Sequence, residues 1–169
     1  MEAHGIIAYG YDLGGGGGTL LLRETQESSE NPYGELRTPW YDGTVDLDDE
    51  PGDTPNRPDV FEALIGALYA AIPGAPDGAW GSDQEKAVRG YFGVWLVDHG
   101  DCSNDYAKIL AAYDESVEYG STCVLELGTL QDRAVAQDWD GKLAAVLRRL
   151  GITPVAERPG WLLASQERP

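Results

Sequence analysis

The chain has 169 residues, 42% of them apolar, with five Trp and nine Tyr, and it carries 29 acids against 12 bases for a formal net charge of −17. That length suits one domain with a real core, and the aromatic content excludes global disorder. The charge disfavours direct nucleic-acid binding and anionic membrane surfaces, both of which are gripped mainly by Lys and Arg.

The expectation is therefore a single domain over residues 1–169. No apolar run approaches the roughly 18 residues needed to span a bilayer. The start lacks the basic-then-apolar pattern of an export signal. A cytoplasmic protein with Cys102 and Cys123 as reduced thiols follows from these two readings.

Taken in order, residues 5–13 form a buried strand through Ile6, Ile7, Tyr9, Tyr11 and Leu13, entering the five glycines Gly14 to Gly18. Residues 19–24 read as a second short strand. Regularity then fades into a long irregular acidic loop at about 26–57, dense in Pro, Gly, Asn and Ser. Pro58 sits at the first turn of a helix whose stripe is Phe61, Leu64, Leu68 and Ile72, ended by Pro73-Gly74. Ser82 and Glu85, in capping-box register, open a short helix through Arg89. Residues 91–97 are β-rich and read as a central strand. Residues 106–113 fit either a helix or a strand, and strand is preferred, with 122–127 as the next one. Thr129 and Asp132 open a long helix with Val135, Trp139, Leu143, Val146, Leu147 and Leu150 on one face, re-capped at Asp138 or Asp140. Arg148 and Arg149 complete its last turn, and Gly151 is a natural C′ residue. The end reads as strand, turn, strand. The sum is an α+β fold: a two-layer sandwich, a mixed sheet with two main helices on one face.

Three stretches, Ala8 to Gly15, Trp139 to Leu143 and Arg158 to Ser165, resemble small uncharacterised proteins of actinobacteria and their phages. The resemblance covers most of the chain and transfers no activity and no site residue. It implies a small, phage-related accessory protein.

Each chemical motif has a structural competitor. Asp12-Leu13-Gly14-Gly15 superficially resembles the first phosphate loop of actin-like sugar kinases and chaperone ATPases, but those folds need two large lobes. A P-loop reading fails because no Gly-Lys-Ser/Thr follows. The acidic residues Asp46, Asp48, Asp49, Glu50 and Asp53 offer carboxylates to Ca²⁺, yet the EF-hand places that need Gly and Glu hold Pro51 and Arg57. The strand exit Asp98-His99-Gly100-Asp101-Cys102 gathers a base, a thiol and carboxylates, so His99, Asp98, Asp101 and Cys102 are the candidate catalytic residues. His99 and Cys102 could also join Cys123 and His4 around zinc, but no Cys-x-x-Cys pair supports it. No metal or cofactor site is expected.

The leading expectation is a non-enzymatic acidic interaction module contacting a basic protein surface through Trp40, Asp42, Asp46, Asp48, Asp49, Glu50 and Asp53. One version is an inhibitor or DNA mimic acting on a nucleic-acid-handling protein. The alternatives are a small enzyme or ligand-binding protein using the 98–105 loop, and a structural component compatible with a homo-oligomer.

Overall fold

A computed structural model describes residues 2–15, 20–32, 34–44, 59–100 and 106–168. In chain order the elements are β1 (Glu2–Gly15), a 3₁₀ turn (Arg23–Thr25), β2 (Glu35–Thr38), β3 (Tyr41–Thr44), α1 (Val60–Ala70), α2 (Ser82–Phe92), β4 (Trp95–His99), β5 (Ala107–Glu118), α3 (Leu127–Ala136), α4 (Trp139–Leu150) and β6 (Gly160–Arg168). The fold is α+β. Among the described residues, no helix is long and apolar enough to cross a membrane.

The main sheet has four strands in the order β4-β5-β1-β6. The sequence pointed to a mixed sheet, but all three strand pairings are antiparallel. The parallel element is a single bridge between Gly100 and Gln166, where Gly100 N–H donates to the Ser165 carbonyl at 2.7 Å and Glu167 N–H to the Gly100 carbonyl at 3.0 Å. That bridge draws the end of β4 onto β6, so the sheet curls toward closure at one corner.

Two bulges set the faces of the sheet. Tyr9 pairs with Tyr113 and Gly10 with Ala111, leaving Ala112 as the extra residue of β5; Asp12 pairs with Ile109 and Gly14 with Lys108, leaving Leu13 as the extra residue of β1. Both extra residues are buried in the main core, which is how a bulge re-aims a side chain. That core lies on the near face, where Leu64 and Leu68 of α1 and Trp139, Leu143, Val146 and Leu150 of α4 meet Tyr11, Leu13 and Leu110 of the strands. The far face has a smaller core of Ile6, Ala8, Val97, Ile109 and Ala111, all from the strands themselves.

Several boundaries differ from the expectation. The carboxylate of Asp59 caps α1, accepting from the Phe61 N–H at 2.6 Å; Pro58 lies outside the described residues. Tyr91 and Phe92 extend α2 rather than starting the strand, because Gly93 supplies the left-handed C-cap only after them. Residues 122–126 are irregular and Leu127 opens a helix, so the expected strand there is absent. The re-capping expected at Asp138 or Asp140 falls at Asp138, which adopts a left-handed conformation and whose carboxylate accepts from the Gly141 N–H at 3.2 Å, so the long helical region is two helices. Residues 35–44, placed in the irregular loop, form the hairpin β2–β3. Of the expected strand at 19–24, residues 20–24 are described and give isolated bridges at Leu20 and Leu22, Leu22 pairing with Pro154, and 152–157 form no strand of their own.

Candidate functional site

The structure brings together two motifs that the sequence keeps apart. Asp12 ends the regular part of β1 and lies opposite Ile109, while His99 ends β4 and lies opposite Ala107. The two side chains reach toward each other across β5, where Ala107 offers only a methyl group. Their closest approach is 3.3 Å, from His99 Nε2 to Asp12 Oδ1. The same carboxylate oxygen accepts from the Gly14 N–H at 2.9 Å.

These contacts act on the Asp12 carboxyl. The hydrogen bond from His99 is the largest influence on the Asp12 carboxyl; partial burial opposes it, the Gly14 N–H reinforces it, and the net effect holds the group below the usual carboxylate range. An ionised Asp12 only accepts, so the hydrogen bond between the two is donated by His99 Nε2. A carboxylate hydrogen-bonded to an imidazole is an arrangement general-base chemistry uses. Among the described residues, no group of three or more His, Cys, Asp or Glu converges to hold a metal ion.

Of the other residues expected in this loop, Asp98 points to the opposite side of β4 and forms an ion pair with Lys108. It is therefore held away from His99. Asp101 and Cys102 lie outside the described residues. Cys123 is an exposed free thiol beyond the end of β5. Asp12 is the partner that sequence reasoning passed over for His99: it was weighed only as part of a phosphate loop, and nothing local signals pairing between residues 87 positions apart.

Of the expected partner-binding residues, Trp40 and Asp42 are described. Asp46, Asp48, Asp49, Glu50 and Asp53 lie outside the described residues. Asp42 is exposed on β3. Trp40 sits at the turn of the β2–β3 hairpin and its indole N–H donates to the Leu150 carbonyl at 2.7 Å, satisfying one of the orphan acceptors at the end of α4. With Ala67, Ala70, Ala71, Arg149 and Leu150 it lines a shallow groove of about 470 Å³. Its polar end is thus occupied in tying the hairpin to the helix layer.

An aromatic cluster that the sequence treated as scattered anchors completes this side of the molecule. Tyr9, Tyr113 and Trp161 lie side by side on the near face of the sheet, in register, and pack around Trp139 of α4, with the Tyr113 and Trp139 rings stacked at 5.2 Å. Tyr9 donates to Asp140 at 2.7 Å, and Tyr113 donates to Glu115. Desolvation, then the carboxylate each phenol bonds, pushes both up to about 12. Comparison of the chain with family models, with curated proteins and with solved structures gives no match.

Proposed function

We propose that this protein is an acidic interaction module that binds a basic surface on another protein. The observation that carries the reading is the net charge of −17, together with the engagement of five of the twelve cations. Lys108 pairs with Asp98, Arg37 with Glu35 and Lys86 with Asp83. Arg89 lies over the Trp95 ring and Arg133 over Tyr113. These bases are engaged within the fold, while Glu62, Asp77, Glu85, Asp132 and Glu157 stand exposed. Such a field attracts a basic partner and speeds its encounter. An inhibitor that occupies the phosphate-binding groove of a nucleic-acid enzyme is the most specific form of this reading.

The test is capture of partners from the native cell at low and high salt. Binding should weaken steeply with salt, since exposed charges are screened beyond about 8–10 Å near physiological ionic strength. A variant with Asp46, Asp48, Asp49 and Glu50 changed to Asn or Gln should lose the partner. Undiminished affinity in that variant would remove the role of residues 42–53.

The Asp12–His99 pair favours a second reading, a small-ligand or catalytic site at the end of β4. A thermal-shift screen against nucleotides and divalent metals tests it, because a ligand of the native state raises apparent stability. A stabilisation that His99→Ala abolishes would establish this reading; an unresponsive protein would discard it.

A further inference from the structure

The strands of the main sheet are longer than the helices that cover them. β1 has 14 residues, an extended length of about 46 Å at about 3.3 Å per residue. α4 has 12 residues, or about 18 Å at 1.5 Å per residue. Among the described residues, the helix layer covers the near face as far as the aromatic row of Trp161, Tyr9 and Tyr113. Register fixes what comes next on that same face: Leu163, Ile7 and Glu115 in one row, then Ser165, Gly5 and Val117. Leu163 is 87% exposed, and Tyr119, just past the end of β5, is 86% exposed. Glu167 follows Leu163 and Ser165 on the same face of β6 by strand alternation, and it is also exposed.

We propose that this bare half of the near face docks an amphipathic, basic helix of the partner, which would complete the missing part of the helix layer. The inference rests on the acidic-interaction reading and gives it a place. Three neighbouring strands are about 10 Å across and the rows from Leu163 to Glu167 run about 13 Å, which matches the width and two to three turns of one helix. A second copy of this chain, itself at net −17, would bring like charge to a face that already holds Glu115 and Glu167. Charge chooses the chemistry of the helix. Glu115 lies within the patch and Glu167 at its end, so a stripe of Leu or Ile flanked by Lys or Arg fits, and an acidic helix does not. The cations near this face, Arg133 over the Tyr113 ring and Arg158 within electrostatic reach of Tyr9, lie at the aromatic row on the helix side. Val117 and Ile7 supply the apolar floor.

The probe is a fluorescein-labelled Leu/Lys peptide of about 14 residues with helical periodicity, titrated against the full chain by anisotropy. Controls are a scrambled peptide that breaks the period and a Leu/Glu version. One-to-one binding is expected, weakened at least about tenfold in Leu163→Asp, since an exposed leucine loses its apolar contact without any core being disturbed. The double variant Glu115→Gln, Glu167→Gln should bind about three- to fivefold more weakly and with a shallower salt dependence. Unchanged binding in Leu163→Asp, or equal binding of the scrambled peptide, overturns the proposal. If the peptide instead lets go only when Asp46, Asp48, Asp49 and Glu50 are neutralised, the docking face falls and the acidic-interaction reading stands. If no basic probe binds at low salt, both fall. A dimer in sedimentation that Leu163→Asp dissociates would assign the face to a second copy instead.

Discussion

Gly10 sits at the first bulge, with the β5 backbone packed directly against it. A Cβ added there would lie 1.9 Å from the Leu110 carbonyl oxygen and 2.9 Å from the Ala111 Cα. Both are backbone atoms, so no rotamer change relieves the clash. An ordinary carbon–oxygen contact is about 3.3 Å, so Gly10→Ala must part the two strands by about 1.4 Å. That distance takes the neighbouring ladder hydrogen bonds beyond bonding range. One or two lost bonds at about 1 kcal/mol each, with about 1–3 kcal/mol of overpacking, give about 2–5 kcal/mol. Against a typical total of about 5–15 kcal/mol, this is a large fraction, and it should lower Tm by about 4–20 °C for a chain this long. Gly5 is the internal control. It lies on the same strand, and its added Cβ would find only the Val117 carbonyl oxygen at 4.0 Å. Gly5→Ala should therefore leave stability unchanged or raise it by up to about 1 kcal/mol, because glycine inside a strand is itself unfavourable. Urea and thermal unfolding followed by circular dichroism measure both. A Gly10→Ala protein within about 1 kcal/mol of wild type would refute the close approach and the bulge register with it.

Trp40→Phe keeps most of the packing but removes the N–H that satisfies the Leu150 carbonyl; a loss of about 1 kcal/mol in urea unfolding with unchanged m is expected. On the alkaline side, Tyr9 and Tyr113 ionise in the folded protein only at about 12, against about 10 when unfolded. The unfolded state therefore releases protons first, so stability is intact below about pH 10 and falls between about 10 and 12. Unfolding midpoints over that range should decline less steeply in a Tyr9→Phe, Tyr113→Phe protein. On the acid side, Asp12 is lowered by the His99 hydrogen bond. Its contribution is present above its unfolded value of about 3.9 and disappears as pH drops through the lower folded value. Asp12→Asn should flatten that part of the acid-unfolding curve, and an unaltered curve would show that the pair contributes nothing there.

The parts of the fold that were legible are those specified by local chemistry. α1 was readable because its stripe repeats at helical spacing, and α4 because Asp138, Arg148, Arg149 and Gly151 mark its ends as caps and dipole partners do. Strand β5 was ambiguous because Tyr106, Ile109, Tyr113 and Val117 satisfy a helical period; pairing with both β1 and β4 decided it. The run at 122–127 failed for the opposite reason. It has strand composition but finds no strand to pair with, and Cys123 and Val124 are exposed. The hairpin β2–β3 hid among turn formers, since its signal is a four-residue pairing closed by Thr38 and Tyr41 rather than an apolar alternation. For the site, the carboxylate–imidazole pair was illegible because it depends on sheet order. Asp12 and His99 meet only because β5 inserts between β1 and β4 and carries a small residue at the crossing point.

Strand length and charge together explain why this face would stay open in an otherwise well-packed protein. A bare apolar row costs solubility, and the usual protection is charge placed on or beside it. Glu115 and Glu167 serve that purpose here, and the remaining charge of the molecule makes self-association through the face unfavourable. The same carboxylates that exclude a second acidic copy would attract a basic helix, so protection and selectivity come from one set of residues. The two components should separate in kinetics. Steering by charge acts on association, and the apolar row acts on dissociation. In stopped-flow measurements with the Leu/Lys peptide, raising salt should slow association with little effect on the off-rate, and Leu163→Asp should do the reverse. A Leu163→Asp protein that slows association and leaves dissociation untouched would mean the leucine is a bystander to charge.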